Sequence, residues 1–220
     1  MEMSRKPRIL SSETRPAIER DPPGAENTRW HEWLGADAKE RYAKRQREKG
    51  FFELYVSKQA SEKMVNHAKR FGRMRREALG FMLGDVCASR RRRFVMVRDI
   101  VTGPLLSSAD RVRFDKDSYS ELFSELDSSG FDYVIVGWYH SHPGYGCFMS
   151  KTDLNTQLSG FKESFQSAIV IDPINREIEA FKLKGRSCVP LDFSVYWHDL
   201  ENPYPQETVK RYRVVKKGGS

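Results

Sequence analysis

An α/β domain, built on a central mixed β-sheet flanked by helices and preceded by a polar N-terminal extension, is the fold the sequence predicts. Three observations carry that expectation. β-Branched and aromatic runs too short for ordinary helices recur along the chain, among them EALGFMLGDVC, FVMVRDIV, DYVIVGWYH and SAIVIDP. Between them lie segments with helical spacing of apolar residues, ASEKMVNHAKRFG, SYSELFSELDSSG and DLNTQLSGFKESFQ. The 220 residues are enough for one domain of ordinary size with a real core, plus appendages.

In order, residues 1–29 are rich in Pro, Ser, Arg and Glu and poor in large apolar side chains, and read as a disordered or loosely attached arm. Trp30, Trp33 and Leu34 suit a short anchor, and AKERYAKRQREK from Ala38 reads as a polar helix, solvated and weakly packed because charges occupy nearly every face. Residues 1–50 thus form the extension, partly disordered, and residues 51–195 the domain. FFELYVSKQ alternates as a first strand. The helix after it offers Met64, Val65, Ala68 and Phe71 to the core, with His67 as a surface or cap histidine. EALGFMLGDVC reads as a central strand opening with Glu77, and SRRRR, Ser89 to Arg93, as the tip of a β-hairpin leading into FVMVRDIV. VTGPLLSSADRVRFDKD reads as a loop, and SYSELFSELDSSG as an amphipathic helix carrying Tyr119, Leu122, Phe123 and Leu126. Later come DLNTQLSGFKESFQ, a helix weakened toward its end by Gly160, and two strands, SAIVIDP and EIEAFKLKG, joined by the short PINRE link. CVPLDFSVYW suits a last strand, and residues 196–220 a polar, basic tail.

Composition narrows the function classes. The chain has no apolar run near 18 residues, and its start, MEMSRKPR, lacks the apolar segment of a signal peptide, so the expectation is a soluble, cytoplasmic protein with no membrane contact. Cys87, Cys147 and Cys188 are odd in number and lack CxxC spacing, which argues against a disulfide framework and a zinc finger and for buried, reduced thiols. The net charge of +8 is unevenly spread. Residues 1–100 carry 24 basic and 14 acidic side chains, residues 101–200 only 9 basic and 14 acidic. No aromatic-interleaved basic motif accompanies the positive half, so a solvated basic face is favoured over a nucleic-acid site.

The chemistry concentrates in GWYHSHPGYGCFMSKTD, Gly137 to Asp153. At the end of a buried strand, His140 and His142 are two apart and so point to the same face, a ligand geometry that adjacent histidines lack. Pro143 stops the ladder, and the glycines of GYG allow a tight turn that delivers Ser150 and Asp153 to the start of a helix. Asp153 offers a third ligand. Two imidazoles and one carboxylate are what a catalytic zinc site uses when it keeps a fourth position open. Ser-x-x-Asp before an apolar run is equally a helix capping box, with Ser150 as N-cap and Asp153 at N3, and the two readings are compatible at Ser150.

His140, His142 and Pro143, followed seven residues later by Ser150 and then Asp153, resemble the signature of the JAMM or MPN+ zinc isopeptidases, and all five positions match. The flanks GWYHSHPGYGC and DLNTQ are similar to the branch that holds the proteasome-lid deubiquitinases and signalosome deneddylases. The resemblance spans roughly residues 51–195. It implies the MPN fold, one zinc ion held by His140, His142 and Asp153, Glu77 as general acid and base, and Ser150 as a hydrogen-bond donor to the developing oxyanion. It also implies hydrolysis of the bond after the C-terminal Gly-Gly of ubiquitin or a ubiquitin-like protein. The implied partners are that protein and its conjugates, in the setting of an MPN partner or proteasome-like assembly. Two departures stand out. PINRE is shorter than the family's second insertion, and lid subunits carry a longer helical C-terminal region, so docking into a proteasome-like bundle is not carried over. Two other functions remain open, a peptidase acting on sulfur-carrier or other small modifiers, and a non-catalytic MPN scaffold or basic nucleic-acid-binding protein.

Overall fold

The computed structural model describes residues 17–102 and 134–197, together with the backbone of 105–107 and 112–114. Before the domain proper come β1 (Ile18–Glu19), β2 (Thr28–Arg29) and α1 (Ala36–Lys49). β3 (Leu54–Ser57) leads into α2 (Lys58–Gly72), where Ser57 caps the helix by accepting the Ala60 N–H. β4 (Leu79–Ser89) and β5 (Arg92–Val101) follow as a hairpin. Its two turn residues, Arg90 and Arg91, both have positive φ, +48° and +66°, the backbone a two-residue hairpin turn demands. Next are β6 (Leu105–Ser107) and β7 (Val112–Phe114), then β8 (Val134–Ser141), α3 (Lys151–Gly160), β9 (Ser167–Asp172), β10 (Glu177–Lys184), β11 (Ser187–Leu191) and β12 (Phe193–Tyr196). The expected helix SYSELFSELDSSG lies outside the described residues.

Among the described residues, all strands but β6 and β7 join one mixed sheet of ten, in the order β11-β10-β9-β8-β4-β5-β3-β12-β2, with β1 added alongside the far end of β4. β8–β9, β3–β5 and β3–β12 run parallel; β4 runs antiparallel to both β5 and β8. This is the predicted α/β architecture. No helix among the described residues is long and apolar enough to cross a membrane. Several expectations change in detail. The stretch read as a loop contains the β6–β7 pair, Leu105-Leu106-Ser107 with Val112-Arg113-Phe114, where Val112 and Phe114 are residues that favour strands. α3 stops at Gly160, well short of Gln166, since the Gly160 it ends on gives the helix little propensity to continue. CVPLDFSVYW makes two strands, not one.

That last difference sets the shape. β11 and β12 lie toward opposite ends of the sheet order, yet only Asp192 separates them in sequence, so the sheet must curl until its ends meet. Across the seam lies α1. Arg41 donates to Glu179 on β10 (2.6 Å) and to Asp192 (3.2 Å), and Arg45 donates to the other oxygen of Asp192 (2.8 Å). Tyr42 is buried, stacks on Phe52 at 4.6 Å and meets Ser194 of β12 at 3.0 Å. Upstream, Ile178 donates to the Trp33 carbonyl, and β2 pairs with β12. The extension over residues 17–49, expected to be loose, is therefore built into the domain. Its charges are not all solvated, because Arg41 and Arg45 pair with the half-buried Asp192 at the seam. Trp33 and Leu34 are buried as the anchor reading expects, whereas Trp30 stays half exposed.

Side-chain alternation divides the interior. On α2, Met64, Val65 and Ala68 pack with Met82, Val97, Tyr139 and Ile169 on one face of the sheet, while Phe71 is only half-buried. Leu79, Phe81, Leu83, Trp138 and Phe161 form a second cluster on the face that α3 covers. Burying one such large apolar side chain is worth about 1.5–3 kcal/mol. In β8 the alternation breaks. Met82 faces Gly137 and Leu83 faces Ile135, so Val136 is an extra residue and the strand bulges. Before the bulge Val134 and Val136 point toward α2; after it Tyr139 does, and the even-numbered Trp138 turns to the opposite face. A Cβ on Gly137 would meet the Ser167 carbonyl oxygen at 2.1 Å, so only glycine permits the close approach of β8 to β9 there.

Candidate metal centre

The bulge decides where the histidines point. His140 shares its face with Trp138, and the two rings stack at 4.5 Å and 12°. Trp138 is fixed in turn by donating its indole N–H to Gln157 Oε1 at 2.7 Å. Gln157 is four residues after Asp153, one turn along the same face of α3, so the helix that offers the carboxylate also locks the ring against which His140 rests. His142 leaves the strand but stays tied to β9 through its N–H to the Ile171 carbonyl. Both rings are almost fully buried, and the Asp153 side chain is 13% exposed.

The three ligand atoms converge. His140 Nε2 and His142 Nε2 are 3.2 Å apart, and Asp153 Oδ2 lies 3.4 and 3.5 Å from them. Tetrahedral zinc with bonds of about 2.0–2.1 Å places its ligand atoms about 3.3 Å from one another. The triangle therefore has the size of one face of that tetrahedron. Tautomer chemistry points the same way. His142 Nδ1 sits 3.2 Å from the Gly146 carbonyl, which can only accept, so Nδ1 carries the proton and Nε2 of the neutral ring turns its lone pair inward. His140, His142 and Asp153 are thus a group that could hold a metal ion.

The capping box is present as well. Ser150 Oγ accepts the Asp153 N–H at 3.2 Å, and Asp153 Oδ2 accepts the Ser150 N–H at 2.8 Å. One carboxylate oxygen thus serves both the helix end and the histidine pair. Burial alone would raise the Asp153 carboxyl, but the bonds from His140, His142 and Ser150 outweigh it and hold the group well below the usual carboxylate range. Burial lowers His140 against the pull of Asp153. For His142 burial acts the same way but loses to Asp153, Glu77 and the Gly146 carbonyl, so that ring is raised.

Glu77 lies two residues before β4, not within it. Leu79 faces His140, and the Ala78–Ser141 pair extends the ladder through Ser141 N–H to Ala78 O (3.0 Å) and Ala78 N–H to Ser141 Oγ (2.8 Å). One further step brings Glu77 across from His142, and its charge acts on that ring.

Other residues at the site carried less signal in the sequence. Trp138 and Gln157 are visible only as partners by spacing, two before His140 and four after Asp153. Asp172, fully buried at the end of β9, accepts the N–H groups of Gly144 (2.9 Å) and Gly146 (2.7 Å) in the turn below His142. The two glycines have φ of +91° and +80°. On the reverse face of β8, Tyr139 meets His67 Nδ1 at 2.8 Å. His67 is therefore not the surface or cap residue expected; burial pushes it down to about 4 and keeps it neutral. Cys147 is half-buried, its thiol donating to the Val170 carbonyl and pushed up to about 12 by burial, which suits packing and not nucleophilic chemistry. Cys188 is likewise half-buried, and only Cys87 is fully enclosed.

Residues 50–163 match the family model described as JAB1/Mov34/MPN/PAD-1 ubiquitin protease. The chain belongs to this MPN family. Among curated MPN relatives, the ubiquitin carboxyl-terminal hydrolase RPN11 of Saccharomyces cerevisiae is 36% identical over 172 residues, covering 74% of this chain and 51% of its own. The COP9 signalosome complex subunit 5 of Debaryomyces hansenii is 38% identical over 135 residues, covering 59% of this chain and 27% of its own. The chain thus spans between about a quarter and a half of these relatives' length. A solution structure of a protein from Desulfitobacterium hafniense, 21% identical, superposes with a TM-score of 0.50 over 68% of this chain and 97% of that one, a likeness of fold.

Proposed function

We propose that this MPN domain is a zinc-dependent peptidase that hydrolyses the isopeptide or peptide bond after the C-terminal Gly-Gly of ubiquitin or a ubiquitin-like protein. The observation that carries the reading is the triangle of His140 Nε2, His142 Nε2 and Asp153 Oδ2, whose edges of 3.2–3.5 Å match a tetrahedral zinc face. Zinc held by these three residues supplies Lewis-acid chemistry and an activated water at neutral pH. Membership of the MPN family, and the activity in the name of the yeast relative, support the substrate class.

The chain's own groups divide the remaining work. Glu77, beside His142, takes the proton of the attacking water and passes it to the leaving amine. Ser150 Oγ accepts from the backbone, which leaves its hydroxyl proton for the oxyanion that develops on the substrate carbonyl. Trp138 and Gln157 exclude water behind His140 and keep its ring from turning.

Incubation with ubiquitin, other ubiquitin-like precursors and their conjugates, with and without a chelator, tests this reading. Cleavage after Gly-Gly that chelation abolishes and zinc restores is the expected result. Purified protein that carries no zinc and takes up none overturns it, as does an Asp153→Ala variant with unchanged zinc content.

A further inference from the structure

Between β9 and β10, away from the three candidate ligands, one buried carboxylate gathers five hydrogen bonds. Asp172 is fully inaccessible to solvent. Its Oδ1 accepts the N–H groups of Gly144 (2.9 Å), Ile174 (2.9 Å) and Asn175 (3.1 Å). Its Oδ2 accepts Gly146 N–H at 2.7 Å and Asn175 Nδ2 at 2.8 Å. Burial raises such a carboxyl, but these donors outweigh burial and keep it ionised below the usual range. A buried charge this well satisfied costs far more to disturb than a surface one.

Three of the five bonds, from the Ile174 N–H, the Asn175 N–H and Asn175 Nδ2, close the turn that follows β9. The other two run elsewhere, into the segment that follows His142. Gly144 and Gly146 both have positive φ, a conformation their sequence permits but does not enforce, since glycine is nearly as stable on either side. What enforces it is an acceptor on each amide. Gly146 is also the residue whose carbonyl meets His142 Nδ1 at 3.2 Å. The peptide unit held through its N–H by Asp172 is thus part of the residue that fixes the imidazole proton.

We infer that Asp172 is a positioning residue for the metal centre: through the Gly146 backbone it holds His142 in the Nδ1–H tautomer, with Nε2 turned toward His140 and Asp153. This rests on the zinc reading above. The relay is Asp172 Oδ2 to Gly146 N–H, then Gly146 C=O to His142 Nδ1–H, and it leaves the second ring nitrogen free to coordinate. Asp172 bonds to none of the three ligand atoms. Its anchorage in β9 is rigid, because β9 is buried throughout and pairs with β8 on one side and β10 on the other. The register placing Ser141 opposite Ile171 puts Asp172 directly beyond His142, so the strand that ends in Asp172 also supplies the Ile171 carbonyl for the His142 N–H.

The test separates this inference from the function it rests on by reading the ring without metal. Metal-free protein is labelled with ¹⁵N-histidine, and the side-chain nitrogens of His142 are observed at alkaline pH, where the ring is neutral, in the native chain, Asp172→Asn and Asn175→Ala. Zinc affinity is then measured by titration for the same three proteins. The native chain should show the Nδ1–H tautomer. Asp172→Asn keeps the side chain's shape but presents an NH₂ to a backbone donor; it should shift His142 to a mixture of tautomers and weaken zinc binding by about 10–100-fold, the usual effect of losing an outer-shell partner. Asn175→Ala removes one bond from the β9–β10 turn and leaves both glycine amides paired, so its tautomer and zinc affinity should stay within about twofold of native. Should Asp172→Asn not fold, Asp172→Ala serves in its place. An unchanged tautomer in the folded Asp172 variant overturns the inference, whether or not zinc affinity falls. A native chain that binds no zinc overturns the proposed function instead, and the tautomer result stands on its own.

Discussion

Glu77 is separated from His140 by 63 positions, and antiparallel pairing of β4 with β8 brings it beside His142. Glu77→Gln keeps the shape of the side chain and removes its basicity. If Glu77 moves the proton, the variant should fold, carry native zinc content and lose about 10²- to 10⁴-fold in kcat, read from steady-state cleavage alongside metal analysis. A variant keeping more than about a tenth of the activity assigns the proton transfer to another group, and one that loses zinc makes Glu77 a ligand. Two histidines outside the centre set a different, pH-dependent property. Burial pushes both His31 and His67 down to about 4; His31 Nδ1 accepts the Trp33 N–H, and His67 Nδ1 meets Tyr139. Each ring takes up a proton more readily in the unfolded chain, whose histidines titrate near 6.5, than in the fold. Their contribution to stability is therefore complete above about pH 6.5 and is lost as pH falls toward 4, by up to about 1.4 kcal/mol per unit for each ring. Denaturant midpoints across that window should fall with pH, and His67→Gln should flatten the slope; a slope unaltered in that variant removes His67 from the account.

At the scale of elements, the bulge in β8 turns a strand that begins by serving the α2 core into one that ends by serving α3. Gly137 makes this geometry affordable, because a methyl group there would lie 2.1 Å from the Ser167 oxygen. Gly137→Ala should cost about 1–3 kcal/mol through that overlap. Relief of the overlap moves β8 away from β9, so zinc affinity should fall together with stability. Urea unfolding and zinc titration on one preparation check both, and a variant as stable as native with unchanged affinity would show that the bulge does not depend on the glycine.

For the whole molecule, the curled sheet has a seam, and α1 lies over it. Asp192 answers two guanidiniums at once from a side chain only 12% exposed, so its removal leaves both without that partner. Arg41 is 40% exposed and Arg45 26%, and water compensates part of the loss. Asp192→Ala should therefore lower stability by about 1–2 kcal/mol, whereas Glu62→Ala, which breaks the exposed Lys58–Glu62 pair, should stay within about 0.5 kcal/mol of native. Thermal unfolding of both variants distinguishes a seam closed by charge from one held by packing alone, for in the second case the two would look alike.

The sequence by itself determined the alternation of strands and helices and the local pattern of His140, His142, Ser150 and Asp153, because each follows from a period of two or 3.6 and from the chemistry of a short segment. A strand end, a glycine turn and a helix N-terminus within one stretch need no distant partner to be recognised. Only the tertiary structure decided which face the histidines occupy, since the extra residue at Val136 reverses the alternation and depends on how β8 meets β4. It alone decided that Glu77 approaches His142, that Asp172 reaches the glycine turn, and that the charged helix of the extension closes a seam. These depend on pairing between segments far apart in the chain, and periodicity records which side of an element is buried but not what it is buried against.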